Sequence, residues 1–237
     1  MNLREYVFSQ PFLGWLLTGA MWTLIITALT TAFSLFLGIP VGMIRCSRFW
    51  GARFAARLFI TVFRNMPLVP FLLFVVFALP EALAETTGLL LPRGMEFSLL
   101  ILCVSLNNAG HVAEIFRSGL RAVPEAQAEA ARVLGMSTWQ IRLAVLYPQA
   151  LRVSIPALGA RLIHNMKNSS VAVLLPLSVD RMELTGQVSR IAGQTFAWTE
   201  PLLFAGLTYL ALSLLLAKAV QLSSTRTGRK VVADVDY

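Results

Sequence analysis

Apolar positions in this chain fall in long continuous runs, with little strict alternation of polar and apolar residues. A helix needs about 20 mostly apolar residues to cross the hydrocarbon core of a bilayer. The runs from Phe12 to Ile44, Arg53 to Leu79, Phe97 to Ala122, Ala150 to Leu175 and Pro201 to Leu222 all meet that length. Several exceed it, which predicts tilt or projection beyond the membrane. Lipid admits only helices and closed barrels, because every backbone polar group must be satisfied internally. Barrel strands would alternate, so the pattern predicts an all-α membrane protein of about five transmembrane helices. The first run is too long for a signal-peptide core. The more polar stretch from Asp180 to Thr199 carries Gly186, Gly193 and Gln194 and predicts a loop or short re-entrant piece.

Composition agrees with the pattern. Of the 237 residues, 57% are hydrophobic and 14% charged, where a soluble domain carries about a quarter charged. Mean hydropathy is +0.69. No linker, low-complexity run or repeat interrupts the chain, so residues 1–237 read as a single transmembrane domain. Cys46 and Cys103 lie in or beside apolar runs and are too few for a disulfide framework.

Charge adds an orientation. The net charge is +8, and its distribution is uneven. Arg45, Arg48, Arg53 and Arg57 follow the first run without an acid. Arg117, Arg121, Arg132, Arg142 and Arg152 follow the third, and Lys218, Arg226, Arg229 and Lys230 lie in the tail. The opposite side has Arg4, Arg93, Arg181 and Arg190, diluted by Glu81, Glu85, Glu96, Asp180, Glu183 and Glu200. Basic loops face the cytoplasm, which predicts the N-terminus outside and the C-terminus inside. No basic soluble domain is present to carry nucleic acid.

The segment at about 123–148 has helix punctuation. Pro124 suits a helix start. Glu125 and Glu129 favour the positive end of the helix dipole. Ala126, Ala128, Ala130 and Ala131 are strong helix formers. Gly135 suits a helix end, and Ser137 can cap a second helix that returns to the membrane at Pro148. An ordinary amphipathic surface loop and a docking element both fit these signals.

Ionisable residues inside spans are costly and often functional. The second span holds Arg64, the third Asn107, Asn108, His111 and Glu114, and the fourth Arg161, His164, Asn165, Lys167 and Asn168. Asn107, His111 and Glu114 share one helical face; Arg161, His164 or Asn165, and Asn168 share another. Glu114 pairing with Arg161 or Arg64 to hold helices in register is one reading. The other is a substrate pathway, in which Arg64 or Arg161 binds a carboxylate and Glu114 or Asn168 an amino group. The bases outnumber the one acid, which suits carboxylate substrates. There is no G-x-x-x-x-G-K-[ST] phosphate loop, and no H-E-x-x-H or G-x-S-x-G, so the chain is expected to be neither an ATPase nor another enzyme. A secondary transporter or channel remains a rival; inverted repeats would favour it, and none is evident.

A series of motifs sharpens the choice. Phe63-Arg64-Asn65-Met66-Pro67-Leu68 resembles the F-R-x-x-P-L element of ABC importer permeases for polar amino acids (the histidine, glutamine and glutamate/aspartate type). Ala113 to Gly119 resembles their A-E-I-x-R-x-G element. Glu129-Ala130-Ala131 through Gly135, then Leu146-Tyr147-Pro148, resembles the EAA loop. Pro148 to Arg152 is similar to P-Q-A-x-R, and Lys167 to Ser170 to K-D/N-[ST]-S. The set covers almost the whole chain in order. Tyr147 stands where the family usually has Leu, and Asn168 where many members have Asp; members with Asn there include acidic-amino-acid permeases.

The resemblance implies a type I ABC importer permease bundle in a bacterial inner (cytoplasmic) membrane. It implies a dimer of ATP-binding subunits as partner, with ATP and Mg held there and no cofactor in this chain. A second permease subunit, identical or homologous, and a periplasmic or extracellular solute-binding protein complete the expected assembly. The expected cargo is a polar amino acid, with a lean to glutamate or aspartate. Candidate substrate contacts are Arg64, Asn107, His111, Glu114, Arg161, His164, Asn165, Asn168 and Ser169. Candidate coupling residues are Glu125, Glu129, Ala130, Ala131 and Gly135.

Overall fold

Eight helices account for the architecture of the computed structural model, which describes residues 12–88, 92 and 94–233, with side chains to residue 222. They are α1 (Phe12–Arg45), α2 (Trp50–Asn65), α3 (Leu68–Thr87), α4 (Glu96–Ala122), α5 (Glu125–Val133), α6 (Thr138–Leu174), α7 (Leu184–Thr195) and α8 (Thr199–Ala233). Five are long and apolar enough to cross a bilayer: α1, α3, α4, α6 and α8 up to Leu222. The basic residues Arg4 and Arg93, used above for orientation, lie outside the described residues.

Three expectations need correction. The run Arg53 to Leu79 is not one helix, and Arg64 does not lie in a crossing helix. The chain breaks at Met66-Pro67, leaving α2 as a separate amphipathic helix and Leu68–Thr87 as the crossing one. Proline disfavours α backbone in the residue before it and has no N–H to give. Asn107 Nδ2 repairs the break by donating to the Met66 carbonyl at 3.1 Å. Secondly, the fourth span does not start at Ala150; the helix that Ser137 caps and the span are one, α6, from Thr138 through Pro148 to Leu174. Thirdly, of the two readings of Asp180 to Thr199, the plain loop gives way: the stretch contains a buried helix, α7, too short to cross.

Two prolines sit just behind widened turns. A π-helical stretch, Phe74–Ala78, precedes Pro80, and another, Ile141–Leu146, precedes Pro148. A proline ring clashes with the carbonyl four residues back. A π-turn moves that carbonyl away, so the helix continues past the proline.

The chain divides into two compact units. One draws on Met1–Phe33, Met66–Asn107 and Ile163–Leu215; the other on Ser34–Asn65, Asn108–Leu162 and Leu216–Tyr237. In the first, Ile26, Leu72, Leu100 and Val104 form one core, and Leu16, Leu184, Val188, Ile191 and Ala205 another. In the second, Phe116, Val123, Tyr147 and Ala150 pack with Ile39 and Met43. The apolar residues of α8 turn outward instead: Leu207 is 57% exposed and Leu214 61%. Contiguous apolar surface of this kind suits lipid or another subunit rather than water.

Gly38 and Gly42 bring α1 against α4 in the second unit. A Cβ on Gly38 would lie 2.7 Å from the Ala109 carbonyl oxygen and from Val112, and one on Gly42 2.8 Å from the Ala113 carbonyl oxygen. Small residues four apart let membrane helices approach closely. Gly38→Leu is expected to reduce sharply the yield of monodisperse protein after detergent extraction. Gly14→Leu, at a position with open space around it, is the matched comparison and is expected to leave the yield intact.

Candidate functional site

In the second unit, α4 carries a charged cluster at the C-terminal end of α2. Glu114 accepts from Arg117 Nε at 2.8 Å and from Arg117 Nη2 at 2.5 Å, and lies 4.0 Å from Arg64 Nη1. Two arginines therefore share one carboxylate. An open cavity of about 370 Å³ is lined by Arg64, His111, Glu114, Ser118, Ser154 and several small apolar residues. Glycines make the approaches possible. A Cβ on Gly110 would lie 2.9 Å from the Arg64 backbone nitrogen, and one on Gly119 would collide with Ser154. One turn away, buried Asn108 donates to Ser34 Oγ at 2.7 Å and accepts from Arg161 Nε.

The structure thus gathers Arg64, His111 and Glu114 but gives Glu114 a partner, Arg117, that the sequence reading used as a topology signal and a motif position without pairing the two. Arg117 stands three residues from Glu114, a spacing that places both on one helical face. Arg161 goes to Asn108 rather than to Glu114.

The remaining polar candidates belong to the first unit. Asn107 holds the Met66 carbonyl, as described. Asn165 is wholly buried and donates to the hydroxyls of Thr30 and Thr31 at 2.8 and 2.9 Å. Ser169 donates to the Met166 carbonyl at 2.7 Å, where α6 tightens into 3-10 geometry. Asn168 is half-buried and His164 exposed. His164 and Asn165 therefore divide, one outward and one inward.

Glu183 was counted only as an outer acid in the sequence reading, yet it is 1% exposed. Its carboxylate caps α7, accepting from Thr185 N at 2.8 Å and Gly186 N at 2.9 Å. It also accepts from Tyr209 Oη of α8 at 2.7 Å. Thr23 of α1 accepts the remaining first-turn N–H, from Leu184, at 3.2 Å. Burial pushes the Glu183 carboxyl above the ordinary glutamate value, and these hydrogen bonds partly oppose the shift. The signal available in the sequence was an acidic residue at a helix N-cap.

The segment after α4 has the anticipated punctuation. Pro124 occupies the N-cap of α5. Gly135 has φ +81°. Its N–H bonds to the Arg132 carbonyl at 2.9 Å, and the Met136 N–H to the Ala131 carbonyl at 3.1 Å, the two bonds of a Schellman motif. Ser137 and Gln140 then form a reciprocal capping box. Ala128 and Ala131 pack on Ile141, with Met136 beside them. Glu125, Glu129 and Ala130 face outward, together with Val133 at 88% exposure and Leu134 at 81%.

Leucines outside and paired charges within define an integral membrane protein with polar chemistry among its helices. Residues 34–229 match the family of binding-protein-dependent transport system inner membrane components, and the chain belongs to that family. It is 33% identical over 228 residues to the arginine transport system permease protein ArtQ of Bacillus subtilis (strain 168), covering 93% of this chain and 97% of that one. It is 29% identical to the glutamate/aspartate import permease protein GltK of Escherichia coli O6:H1, over 95% of this chain and all of that one. Among solved structures, an amino acid ABC transporter crystallised with histidines matches at a TM-score of 0.82 and 26% identity, over 95% of this chain and 99% of that chain. The methionine ABC transporter MetNI shares the fold at a TM-score of 0.67. The resemblance to polar amino-acid ABC permeases read from the motifs is borne out.

Proposed function

We propose that this chain is the translocating subunit of an ATP-driven importer of polar amino acids, with glutamate or aspartate preferred. The observation that carries the reading is the rigidly capped, outward-facing α5 segment, joined directly to α4 and α6 in a member of this family. The relatives named above are permeases for arginine and for glutamate and aspartate. The acidic preference rests on two guanidiniums, Arg64 and Arg117, sharing the one carboxylate, Glu114, that lines the cavity. Arg64 is the substrate-carboxylate ligand of this reading, with His111 beside it and Arg161 further along the path.

The chain sits in the bacterial inner membrane with its N-terminus outside and its basic loops inside. Separate ATP-binding subunits hold ATP and Mg, a second permease completes the bundle, and an external binding protein delivers the substrate. Closure of the ATP-binding subunits pushes on Glu125, Glu129 and Ala130. α5 transmits that push to α4, which ends a few residues before it, and to α6, which begins a few residues after it. ATP thereby biases the bundle between outward-open and inward-open states.

The test is uptake of labelled glutamate, aspartate, arginine, glutamine and histidine by proteoliposomes holding the complete transporter. ATP-dependent uptake led by the acidic amino acids is the expected result. Uptake without ATP or without the ATP-binding subunit would overturn the reading in favour of a secondary transporter. Arg64→Ala and Arg161→Ala are expected to weaken substrate dependence, and normal dependence in both would remove their assignment.

Gly135→Val probes coupling. A side chain in left-handed backbone costs about 1–2 kcal/mol, and α5 would lose its fixed end. ATP-driven uptake is expected to fall several-fold while the two permeases still co-purify. Unchanged uptake would show that this turn transmits nothing.

A further inference from the structure

Three crossing helices bring arginines to one end of the second unit. Arg45 is the last residue of α1, Arg121 lies in the last turn of α4, and Arg142 lies in the π-helical start of α6. Their helix ends meet in one apolar cluster, where Phe116 and Tyr147 pack with Met43 and Leu120. The Phe116 and Tyr147 rings are 5.9 Å apart. The arginines stand on the turns next to that floor. Cys46 marks their convergence: burial pushes its thiol up, while Arg117, Arg121, Arg45 and Arg142 each pull it down. Arg117 is committed to Glu114. Arg45, Arg121 and Arg142 have no carboxylate partner among the described residues.

Glu114 reaches Arg45 only at longer range, being paired with Arg64 and Arg117, so these guanidiniums repel one another and a bound anion relieves that repulsion. Arginine is suited to phosphate because its planar fork donates two parallel hydrogen bonds. The adjoining surface suits acyl chains. On α2, Trp50, Phe54 and Leu58 form an exposed row at 72%, 61% and 54%, with Arg53 and Arg57 exposed beside it. An amphipathic helix with an apolar row and a basic edge lies in the membrane interface. Basic pockets between membrane helices hold anionic headgroups.

We propose that Arg45, Arg121 and Arg142 form a binding site for the phosphate of an anionic phospholipid, whose acyl chains lie along the exposed row of α2. The lipid ties together the ends of α1, α4 and α6. Because α4 and α6 flank α5, an occupied site holds the base of that segment in place. Binding of the lipid is independent of the transport reading; only its consequence for uptake rests on it.

The purified transporter in detergent is offered phosphatidylglycerol and phosphatidylcholine, and retained lipid is identified by native mass spectrometry. Preferential retention of phosphatidylglycerol is expected. In the triple variant R45Q/R121Q/R142Q, affinity for it should fall on the order of a hundredfold. The lysine version R45K/R121K/R142K keeps the charge but loses the planar fork, so it should bind more tightly than the glutamine variant and less tightly than the wild type, which separates loss of the site from loss of the fold. Equal retention of the two lipids by the wild type, or undiminished retention by the glutamine variant, would overturn the proposal. Loss of the ATP-binding subunit from the glutamine variant with lipid retention unchanged would also overturn it, by assigning the arginines to a protein interface. In proteoliposomes, ATP-dependent uptake should rise when phosphatidylglycerol replaces part of the phosphatidylcholine, and this rise should vanish in the glutamine variant.

Discussion

Glu183→Ala is expected to destabilise the detergent-solubilised protein by about 3 kcal/mol, through the lost N-cap and the buried donors left behind. The Thr185 and Gly186 N–H groups and the Tyr209 hydroxyl all lose their acceptor. Water cannot replace it readily, because the site is 1% exposed. Thermal unfolding in detergent measures the loss, and a melting temperature equal to wild type would show that the network adds nothing. Glu183→Gln should fall between the two, since an amide oxygen can still accept while its NH₂ cannot. The same residue gives a pH dependence. Its folded-state carboxyl titrates above the ordinary glutamate value of 4.5 because burial disfavours the charge. The folded state then binds more protons than the unfolded state, so stability falls as pH rises from 4.5 through the raised value. Glu183→Gln should lack that component of the pH profile. An identical profile in the variant would assign the titration to another group.

Removing the Glu114 carboxylate is expected to be nearly as severe. Glu114→Ala leaves Arg117 half-buried with no counter-charge and strips Arg64 of its nearest carboxylate. Breaking one side of such a pair costs about 3 kcal/mol, and uptake should fall on the order of tenfold or more. The double variant E114A/R117A removes the uncompensated charge along with its partner. It should recover folded yield relative to E114A but not transport, because Arg64 remains unbalanced in the cavity. If the two substitutions simply add in both assays, Glu114 and Arg117 are not energetically coupled.

The contrast between these two acids explains how far the sequence could be read. Glu114 stood out because an acid in an apolar run is expensive and therefore conspicuous. Of the two partners read for it, Arg64 does lie beside it and Arg161 does not, while the closer partner, Arg117, was passed over although it stands three residues away on the same helical face. Glu183 did not stand out because it lies in a polar stretch where an acid costs nothing until tertiary packing closes over it. The cap at Gly135 and Ser137 was legible in full, since both motifs are local and close within six residues. The GxxxG pair at Gly38 and Gly42 was also present as a local signal, although which helix it faced was not.

Continuous apolar length determined the membrane class and the five crossing helices, because hydrocarbon imposes the same demand on every residue of a span. Ordered motifs determined the family, and local hydrogen bonding determined the capped turn after α5. Pro67 marks locally where the second apolar run can divide, but only tertiary structure makes the division tolerable, since Asn107 must reach across 41 positions of sequence to satisfy the Met66 carbonyl. Tertiary structure also decided that Asp180 to Thr199 folds into a buried helix, held by Thr23 and Tyr209. The physical reason is common to both. A polar group's cost depends on whether a partner reaches it, and that partner comes from a distant part of the chain that only the folded molecule brings near.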